Sequence, residues 1–367
     1  MKAVILVGGL GTRLLPLTCN TPKAMMPILN RPFMEHLLLY LKKHGVNEVI
    51  LAMGYLPDPI QKGLGDGSSL GIKLVYSVEP SALGTAGAVK FAEKYLDNEP
   101  FFVFNGDVIT EIDLSDMLTK HHAVKPKVSI ALTPVENPTI YGVVETDTSG
   151  MVKRFVEKPS WDKVTTNMIN AGIYILEPEV LQNIPPEKFF MFEHNVFPPL
   201  LEAGEKMLSY PSKAYWIDIG TPRKYLQVQY DLLNEATGNK VINQGRSRIH
   251  PLAELGGPMI IGPGCTIEKA QIKGPAILGQ GCTVSVNSRI ETTVLWKDVL
   301  IEEEAVLIGC VIGSGSRVGV RCEIGEDCVV GDNVVLGKGS KLAPETKIWP
   351  GMKIPPNSQL SGDVGKK

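Results

Sequence analysis

The sequence predicts an α/β domain with a mixed, mostly parallel sheet, followed by a C-terminal left-handed parallel β-helix. Strand-like and helix-like segments alternate through the first two-thirds of the chain, which is typical of βαβ units in an open sheet. In the last third, an aliphatic residue followed by glycine recurs every six residues, which is the period of a β-helix of stacked hexapeptides. These pairs are Ile312-Gly313, Val318-Gly319, Ile324-Gly325, Val330-Gly331 and Leu336-Gly337, with looser copies at Ile261-Gly262 and Leu278-Gly279.

Composition limits the classes of function. The chain has 367 residues, of which 44% are hydrophobic and 21% charged, so it can bury the cores of two globular domains. A net charge of −2 argues against nucleic acid or a membrane surface as the main partner. The apolar stretch before Gly8 is too short for a signal peptide and no run approaches a membrane span, so we expect a cytoplasmic protein. The six cysteines form no CxxC pair and are interpreted as reduced core thiols, with a metal or disulfide role as the alternative.

A glycine-rich turn follows the first predicted strand, residues 3–7. Glycine lets the backbone approach a ligand closely, and successive N–H groups in such a turn can bind an anion. Arg13 and Lys23 follow and add positive charge, so we expect a polyphosphate ligand, with a ligand-free tight turn as the alternative. The turn lacks the Lys-Ser/Thr ending of a Walker loop and the third glycine of a dinucleotide fingerprint. Its glycines are Gly8, Gly9 and Gly11.

The remaining elements of the α/β domain follow in order. A helix is predicted to open at Asn30-Arg31-Pro32 and to end at Gly45. Strands are predicted at residues 48–53, 72–78, 101–107 and 128–134, with helices at 59–64 and 84–96. An antiparallel pair is predicted at 141–145 and 152–156. A last helix, opened by Thr221-Pro222, is predicted from Pro222 to Leu233, and the domain is predicted to end near Gly238.

Two acidic residues end apolar strands at positions where open sheets bind ligands. Asp107 follows the buried run from Phe101, and Asp218 follows Tyr215-Trp216-Ile217. A buried carboxylate is costly unless it meets a cation, so Asp107 is a candidate Mg²⁺ ligand, with a turn or helix-cap role as the alternative. Asp218 stands in a similar position before a predicted helix, where a structural role like that of an N-cap is the alternative to a site role.

Glu157 and Lys158 end the antiparallel pair, and if the strand stays regular they point to opposite faces. One could bind sugar hydroxyls and the other a phosphate, although such residues are more often a solvated strand end. The helix start at Gly84 and Thr85 could bind a base or a phosphate through its N–H groups, or be an ordinary helix terminus.

Several of these motifs together resemble the sugar-1-phosphate nucleotidyltransferases. They are Gly8 to Thr18 followed by Pro22-Lys23, Leu83-Gly84-Thr85-Ala86-Gly87, Asn105-Gly106-Asp107, and Phe155-Val156-Glu157-Lys158-Pro159. The resemblance implies a Rossmann-like nucleotidyltransferase domain that joins an NTP to a sugar-1-phosphate and releases pyrophosphate. Within the family it is strongest to the members that make GDP-mannose from GTP and mannose-1-phosphate.

The resemblance also implies a role for each matching residue. Nucleotide binding is implied for Leu6, Val7, Gly8, Gly9, Gly11, Thr12, Arg13, Lys23, Gly84, Thr85 and Asn105. Sugar binding is implied for Gly142, Glu157, Lys158 and Asn170, with Gly142 letting the sugar approach the backbone. Mg²⁺ is implied as the cofactor, held by Asp107 and Asp218, and the catalytic residues are Arg13, Lys23, Lys158 and Asp107.

The motifs and repeats together predict domain boundaries and leave alternative functions open. We predict a catalytic domain at residues 1–235, a linker at 236–258, a β-helix at 259–345 and a C-terminal tail at 346–367. Many such β-helices are acyltransferases that use a histidine, but every histidine precedes the clear repeats, so a role in assembly or regulation is favoured. A glucose-1-phosphate thymidylyl- or uridylyltransferase and a non-catalytic sugar-nucleotide sensor remain alternatives. We expect a homo-oligomer.

Overall fold

The computed structural model describes residues 1–54 and 57–366. The chain divides into two compact units. The first comprises Met1–Leu10 and Met34–Asp218, and the second comprises Gly11–Phe33 and the described residues from Ile219 onward. The segment Gly11–Phe33 therefore clusters with the C-terminal part of the chain, although it lies within the catalytic domain predicted over residues 1–235.

The first unit has the predicted alternation of strands and helices. Its strands are β1 (Lys2–Leu6), β2 (Glu48–Met53), β3 (Lys73–Val78), β4 (Phe101–Asn105), β5 (Val108–Thr110), β6 (Val128–Pro134), β7 (Gly142–Thr146), β8 (Val152–Glu157), β9 (Met168–Leu176), β10 (Met207–Pro211) and β11 (Trp216–Asp218). Its helices are α1 (Phe33–Lys43), α2 (Pro57–Leu64), α3 (Gly84–Ala92), α4 (Leu114–Val124) and α5 (Phe197–Glu202).

Nine of these strands form one mixed sheet in the order β8-β7-β9-β4-β1-β2-β3, with β6 paired to β9 and β10 paired to β6. β4, β1, β2 and β3 are parallel neighbours, whereas β9 runs antiparallel to β4, β6 and β7. Ala3, Val4 and Ile5 of β1 are completely buried, as expected for a parallel strand covered on both faces. The carboxyl ends of β1 and β4 therefore meet at one edge of the sheet, where the predicted glycine turn and Asp107 follow them.

Local sequence explains why α1 begins later than predicted. Arg31–Pro32 forms a two-residue strand with Pro27–Ile28, and α1 begins at Phe33 rather than at Asn30. Leu29 and Asn30 make the intervening turn with φ values of 49° and 65°. Asparagine tolerates this left-handed conformation well, so the residues interpreted as a helix start form a tight turn instead.

The second unit contains helix α6 (Pro222–Thr237) and a left-handed parallel β-helix of three ladders. The first ladder comprises Val241–Asn243, Met259–Ile261, Ala276–Leu278, Val294–Leu295, Val311–Ile312, Val329–Val330, Lys347–Ile348 and Asp363–Val364. The second comprises Arg248–Ile249, Thr266–Ile267, Thr283–Val284, Leu300–Ile301, Arg317–Val318, Val335–Leu336 and Lys353–Ile354. The third comprises Glu254–Gly256, Gln271–Lys273, Arg289–Glu291, Val306–Ile308, Glu323–Ile324, Lys341–Leu342 and Gln359–Leu360.

The aliphatic–glycine period has a direct physical cause. From the second coil onward, at least one aliphatic residue of each strand lines a continuous core, in which Ile312, Val318 and Val330 have no solvent exposure. The following glycine lies against the next coil: a Cβ on Gly313 would sit 2.7 Å from the carbonyl carbon of Gly331. Any larger residue would push the coils apart, so the corner residue must be small wherever coils approach this closely.

The β-helix extends beyond residues 259–345 at both ends. Its first coil occupies residues predicted as linker, and its last strands occupy residues predicted as tail, up to Asp363–Val364. The final coil lacks the repeat signature because Trp349, Pro355 and Ser361 follow the core aliphatic residues where earlier coils have glycine. Lys367, the last residue of the predicted tail, lies outside the described residues.

The five thiols of the β-helix agree with the interpretation as core residues, whereas Cys19 is half-buried. All six cysteines are free, and the five in the β-helix are buried. The Cys265 and Cys282 Sγ–H groups donate to the carbonyl oxygens of Gly279 and Trp296 at 3.1 and 3.0 Å. In the described part of the chain, no helix combines the length and the apolar character needed to cross a bilayer.

Candidate active site

The glycine turn follows β1 at the carboxyl edge of the sheet. Leu6 and Val7 are half-buried there, and the Val7 N–H donates to the Ala52 carbonyl at 2.7 Å. Gly8 and Gly9 are exposed, and a Cβ on Gly9 would meet nothing within 4 Å. The backbone therefore has open space at the position where sequence reasoning expects a phosphate.

Two carboxylates follow or end strands here: Asp107 lies in the turn between β4 and β5, and Asp218 is the last residue of β11. The Gly106 N–H donates to the Leu6 carbonyl at 3.0 Å, and a Cβ on Gly106 would clash with that oxygen. This close turn places Asp107 directly beyond β4. β5 and β11 pair antiparallel with Asp218 opposite Val108, the residue after Asp107. Asp107 therefore lies one position from the residue that pairs with Asp218, so the two backbones are close, and a ligand shared by the two carboxylates stays a prediction.

Tyr141 connects this carboxylate pair to the predicted sugar-binding hairpin. Its hydroxyl donates to Asp218 Oδ1 at 2.6 Å, and Asp218 is only 8% exposed. Its carbonyl accepts from the Lys158 N–H at 2.9 Å, and its ring packs edge-on against Trp216 with centroids 5.7 Å apart. Sequence reasoning assigned no role to Tyr141, although it directly precedes Gly142 in the hairpin.

Asp107 and Asp218 offer the oxygen ligands that hard divalent cations prefer. Within residues 1–54 and 57–366, no three His, Cys, Asp or Glu side chains are close enough to form a metal site by themselves. A cation held by this pair would therefore complete its coordination with water and substrate phosphates. Mg²⁺ binds in this way, since it needs few protein carboxylates and keeps several waters.

The space beside Gly142 is filled by protein. A Cβ at this position would lie 2.6 Å from Phe155 Cζ and 2.8 Å from Glu157 Oε2. Gly142 lies opposite Glu157 in the β7–β8 pair, so its missing side chain makes room for the Glu157 carboxylate. The structure gives this glycine a role in making room for Glu157, and the close approach of the sugar to its backbone stays a prediction.

Glu157 and Lys158 do not point to opposite faces of a regular strand. β8 ends at Glu157, and Lys158 has a φ of 44°, which reverses the direction of its side chain. Lys158 Nζ consequently lies 3.4 Å from Glu157 Oε1, with side-chain exposures of 66% for Lys158 and 17% for Glu157. The prediction of opposite faces is wrong because it assumed a regular strand, and the two charges are presented together.

Asn170 and Asn105 meet around a bulge in β9. Asn170 Nδ2 donates to the Tyr174 hydroxyl at 2.7 Å, and its Oδ1 accepts from the Gly172 N–H at 2.9 Å. Gly172 has a φ of 71° and lies against Asn105, where a Cβ would be 2.5 Å from Asn105 Nδ2. The Asn170 amide therefore stabilises the bulge, and its predicted contact with a sugar would have to share these hydrogen bonds.

Some of the backbone N–H groups at the start of α3 already have hydrogen-bond acceptors within the first unit. The Phe190 carbonyl accepts from the N–H groups of Ala86 and Gly87 at 2.9 and 3.0 Å. A Cβ on Gly84 would lie 2.6 Å from the same oxygen, and Gly84 has a φ of 75°. A nucleotide at this helix start is therefore limited to the N–H groups of Gly84 and Thr85.

Glu193 is a buried carboxylate that sequence reasoning missed. It lies on a π-helical turn and is 8% exposed, and its Oε2 accepts from the Thr85 hydroxyl at 3.0 Å. Burial raises the pKa of Glu193, and the nearby Glu157 carboxylate raises it further. Thr85 and Glu193 are 108 residues apart in the chain, so no local motif indicates their contact.

The remaining predicted residues lie in the second unit. Gly11 has a φ of 62°, and its carbonyl accepts from the Thr18 hydroxyl at 2.9 Å, which stabilises the turn. Thr12 and Arg13 are exposed in a short 3₁₀ helix, and Lys23 is half-buried in another. Their contact with a triphosphate stays a prediction.

Comparison with known proteins identifies the family. The family model described as "Nucleotidyl transferase" matches residues 2–235. The chain belongs to the nucleotidyl transferase family. A second model, described as "EIF2B subunit epsilon LbH domain", matches residues 239–342, in agreement with the β-helix.

Relatives of this nucleotidyl transferase match it over most of its length. It is 36% identical to the mannose-1-phosphate guanylyltransferase of Mycobacterium tuberculosis, over 73% of this chain and 76% of that protein. It is 38% identical to the mannose-1-phosphate guanyltransferase of Pichia angusta, over 87% of this chain and 88% of that protein. The crystal structure of HddC from Yersinia pseudotuberculosis complexed with GMP-PN is similar, with a TM-score of 0.55 and 32% identity over 63% of this chain and 99% of that chain.

Proposed function

We propose that this nucleotidyl transferase joins GTP to mannose-1-phosphate, forming GDP-mannose and pyrophosphate. The observation that carries the proposal is the position of Tyr141, whose hydroxyl holds Asp218 while its carbonyl holds the Lys158 N–H. Tyr141 thus contacts both Asp218, one of two carboxylates suited to bind a metal, and Lys158, a lysine suited to bind a phosphate. The names of the matching relatives support guanine and mannose as the specific substrates.

The reaction is an in-line substitution at the α-phosphorus of the NTP. A phosphate oxygen of the sugar-1-phosphate forms the new O–P bond while the bond to the β-phosphate oxygen breaks, and pyrophosphate leaves with that electron pair. The nucleophile is already an anion at neutral pH, so no general base is required. Positioning and electrostatic stabilisation therefore supply most of the rate.

Each substrate has its own proposed contacts. Lys158, exposed at the end of the hairpin, neutralises and orients the incoming sugar phosphate. Glu157, held over Gly142, accepts hydrogen bonds from hexose hydroxyls, and Asn170 lies nearby on β9. Mg²⁺ held by Asp107 and Asp218 would polarise phosphate oxygens and offset their charge.

The nucleotide end of the site is proposed from the glycine turn and the two cations that follow it. Backbone N–H groups of Gly8, Gly9 and Gly11 bind phosphate oxygens. Arg13 provides a planar fork for the triphosphate and the departing pyrophosphate, and Lys23 adds a point charge.

Glu79 supports the choice of guanine. Its Oε2 accepts from the Leu83 N–H at 2.9 Å, and its Oε1 would lie 3.8 Å from a Cβ on Gly8, so the carboxylate faces the glycine turn. Guanine carries N1–H and N2–H₂ donors on one edge, which a carboxylate can accept, whereas uracil and thymine offer a single N–H between two carbonyls. Glu79 is half-buried, and a carboxylate that a bound base covers without offering matching donors is costly, so this cost would discriminate against the pyrimidines.

A homo-oligomer and a cytoplasmic location complete the proposal. The first coil of the β-helix exposes Val241, Ile242, Ile249 and Leu252, which supports self-association because clustered apolar side chains favour burial. The free cysteines support a reducing compartment. Light scattering on the purified chain checks the first point.

A pyrophosphate-release screen tests the function. GTP, UTP, dTTP and ATP are each combined with mannose-, glucose- and N-acetylglucosamine-1-phosphate in the presence of Mg²⁺. We expect the highest kcat/KM with GTP and mannose-1-phosphate, and loss of most turnover in Asp107→Asn and Asp218→Asn. Preference for a pyrimidine nucleotide with glucose-1-phosphate would contradict the specificity, and nucleotide-sugar binding without turnover would favour the sensor alternative.

A further inference from the structure

The segment Gly11–Phe33 carries both cations proposed for the triphosphate, and it clusters with α6 and the β-helix. In the chain, this segment lies between β1 and α1. The hydrogen bonds between this segment and the rest of the second unit therefore decide how firmly Lys23 is held.

Gln229 of α6 forms a clasp on this segment just after Lys23. Its side chain is completely buried, and its Nε2 donates to the Pro27 carbonyl at 2.6 Å while its Oε1 accepts from the Leu29 N–H at 2.9 Å. One amide thus satisfies a backbone acceptor and a backbone donor of the same turn. Removing the amide takes this hydrogen bond from the Leu29 N–H and one of two side-chain hydrogen bonds from the Pro27 carbonyl, so the turn is held less firmly.

The clasp is supported by the β-helix. Tyr225, one helical turn before Gln229, donates its hydroxyl to the same Pro27 carbonyl. Trp296 of the β-helix donates its indole N–H to the Tyr225 hydroxyl at 2.9 Å, and both side chains are buried. The chain of hydrogen bonds therefore runs from the β-helix through α6 to the turn.

Contacts flank Lys23 on its other side as well. Asn20 Nδ2 lies 3.4 Å from Asp332 Oδ2, and Asp332 Oδ1 accepts from the Ser314 N–H at 2.8 Å. On the same side of Lys23 as the clasp, Asn30 Nδ2 donates to the Leu278 carbonyl at 2.9 Å. Lys23 therefore lies in the chain between anchors on the β-helix and the Gln229 clasp.

We infer that Gln229 is a positioning residue for the NTP, acting through the backbone of Pro27–Leu29 on Lys23. The inference rests on the proposed function, since it needs Lys23 to contact the triphosphate. A charged side chain must be held within about 0.5 Å of its working position, which requires a supporting shell of this kind. The β-helix thereby contributes to nucleotide binding, in addition to any role in assembly.

The test compares Gln229→Leu with Gln227→Leu. Gln227 lies on the same helix, is exposed, and bonds only to Asp231 among the hydrogen bonds described for its side chain, so the same chemical change there leaves the clasp intact. We expect Gln229→Leu to raise the KM for GTP about tenfold, because removing a residue that supports a binding group typically weakens binding by at least about that factor. The KM for mannose-1-phosphate should stay within about twofold of its original value. Gln227→Leu should match the unmodified protein in both.

A double-mutant cycle shows whether the effect passes through Lys23. In a Lys23→Ala background, Gln229→Leu should add little to the KM for GTP, because the group it positions is gone. Full additivity, or an equal change in both KM values, would overturn the inference. If Gln229→Leu does not fold, Asn30→Ala removes the contacts of the Asn30 amide with Gln244 and the Leu278 carbonyl and should shift the KM for GTP in the same direction by a smaller factor. No shift in that variant also overturns the inference.

Amide hydrogen exchange separates this inference from the proposed function. Gln229→Leu should speed exchange in residues 23–33 relative to Gln227→Leu, whether or not the protein makes a nucleotide sugar. Unchanged exchange there refutes the clasp even if the unmodified enzyme is active. Absence of product with faster exchange refutes the function and the link to GTP, and leaves the clasp only as a structural contact.

Discussion

Gly142→Ala is a sharp perturbation of the predicted sugar-binding hairpin. The new methyl carbon would lie 2.6 Å from Phe155 Cζ and 2.8 Å from Glu157 Oε2. Carbon atoms in contact normally stay about 3.5–4.0 Å apart, so the ring or the strand has to move by about 1 Å. Phe155 is 9% exposed and packs against Phe197 with ring centroids 5.6 Å apart, so the ring has little free space into which it can turn.

The expected cost follows from this geometry. Overpacking a buried position costs about 1–3 kcal/mol, so the free energy of unfolding should fall by that amount. Displacing the Glu157 carboxylate by about 1 Å should reduce kcat/KM for mannose-1-phosphate by about 10²-fold. The affinity for GTP should change much less, because the glycine turn follows a different strand.

Thermal unfolding and two-substrate kinetics measure both effects. Gly256→Ala is the matched control, since a Cβ there meets nothing within 4 Å and should be tolerated. In Gly142→Ala/Phe155→Leu the ring atoms that meet the methyl group are absent, so the double variant should be more stable than the sum of the single changes predicts. A Gly142→Ala protein with unchanged melting temperature and unchanged KM for mannose-1-phosphate would refute the reasoning.

Three further predictions follow from the contacts of the first unit. Tyr141→Phe removes the donor to Asp218 and should weaken activation by Mg²⁺ about ten- to hundredfold, measured as turnover against Mg²⁺ concentration; an unchanged midpoint would contradict it. Lys158→Ala should weaken mannose-1-phosphate binding by about tenfold and GTP binding much less, and calorimetry showing equal losses would remove its proposed role. His121 is buried against Ser129 and Glu177, and desolvation lowers its pKa despite the opposing bond to Glu177. The unfolded chain therefore binds a proton more readily, so its contribution to stability is complete above about pH 6.5 and declines as the pH falls below that value; denaturant titrations of His121→Gln should show a shallower acid slope.

Much of the fold could be predicted because its signals are local. Buried runs such as Val49 to Met53 mark parallel strands by composition alone, and the turn at Asp147 to Gly150 marks its hairpin. The six-residue period predicted the β-helix, since each glycine of the period lies where the backbone of the neighbouring coil leaves little or no room for a Cβ. The first and last coils were missed because residues other than glycine occupy most of their corners, Gly256 being the exception in the first coil.

The candidate site could be predicted in residue types but not in contacts. Asp107 and Asp218 were identified from strand ends, whereas the β5–β11 register that makes them neighbours is a pairing between distant segments. Glu193, which bonds to Thr85, and Tyr141, which bonds to Asp218, gave no local signal because their partners are far along the chain.

The sequence alone determined the two architectures and the side chains available for binding phosphate, sugar and metal, because strand composition, repeat period and motif spacing are properties of neighbouring residues. Only the tertiary structure decided that Glu157 rests over Gly142, that Lys158 turns back beside it, and that the segment with Arg13 and Lys23 clusters with the β-helix. These contacts join residues that are separated along the chain or reversed by a left-handed backbone turn, and packing selects among such arrangements only when the whole chain is folded.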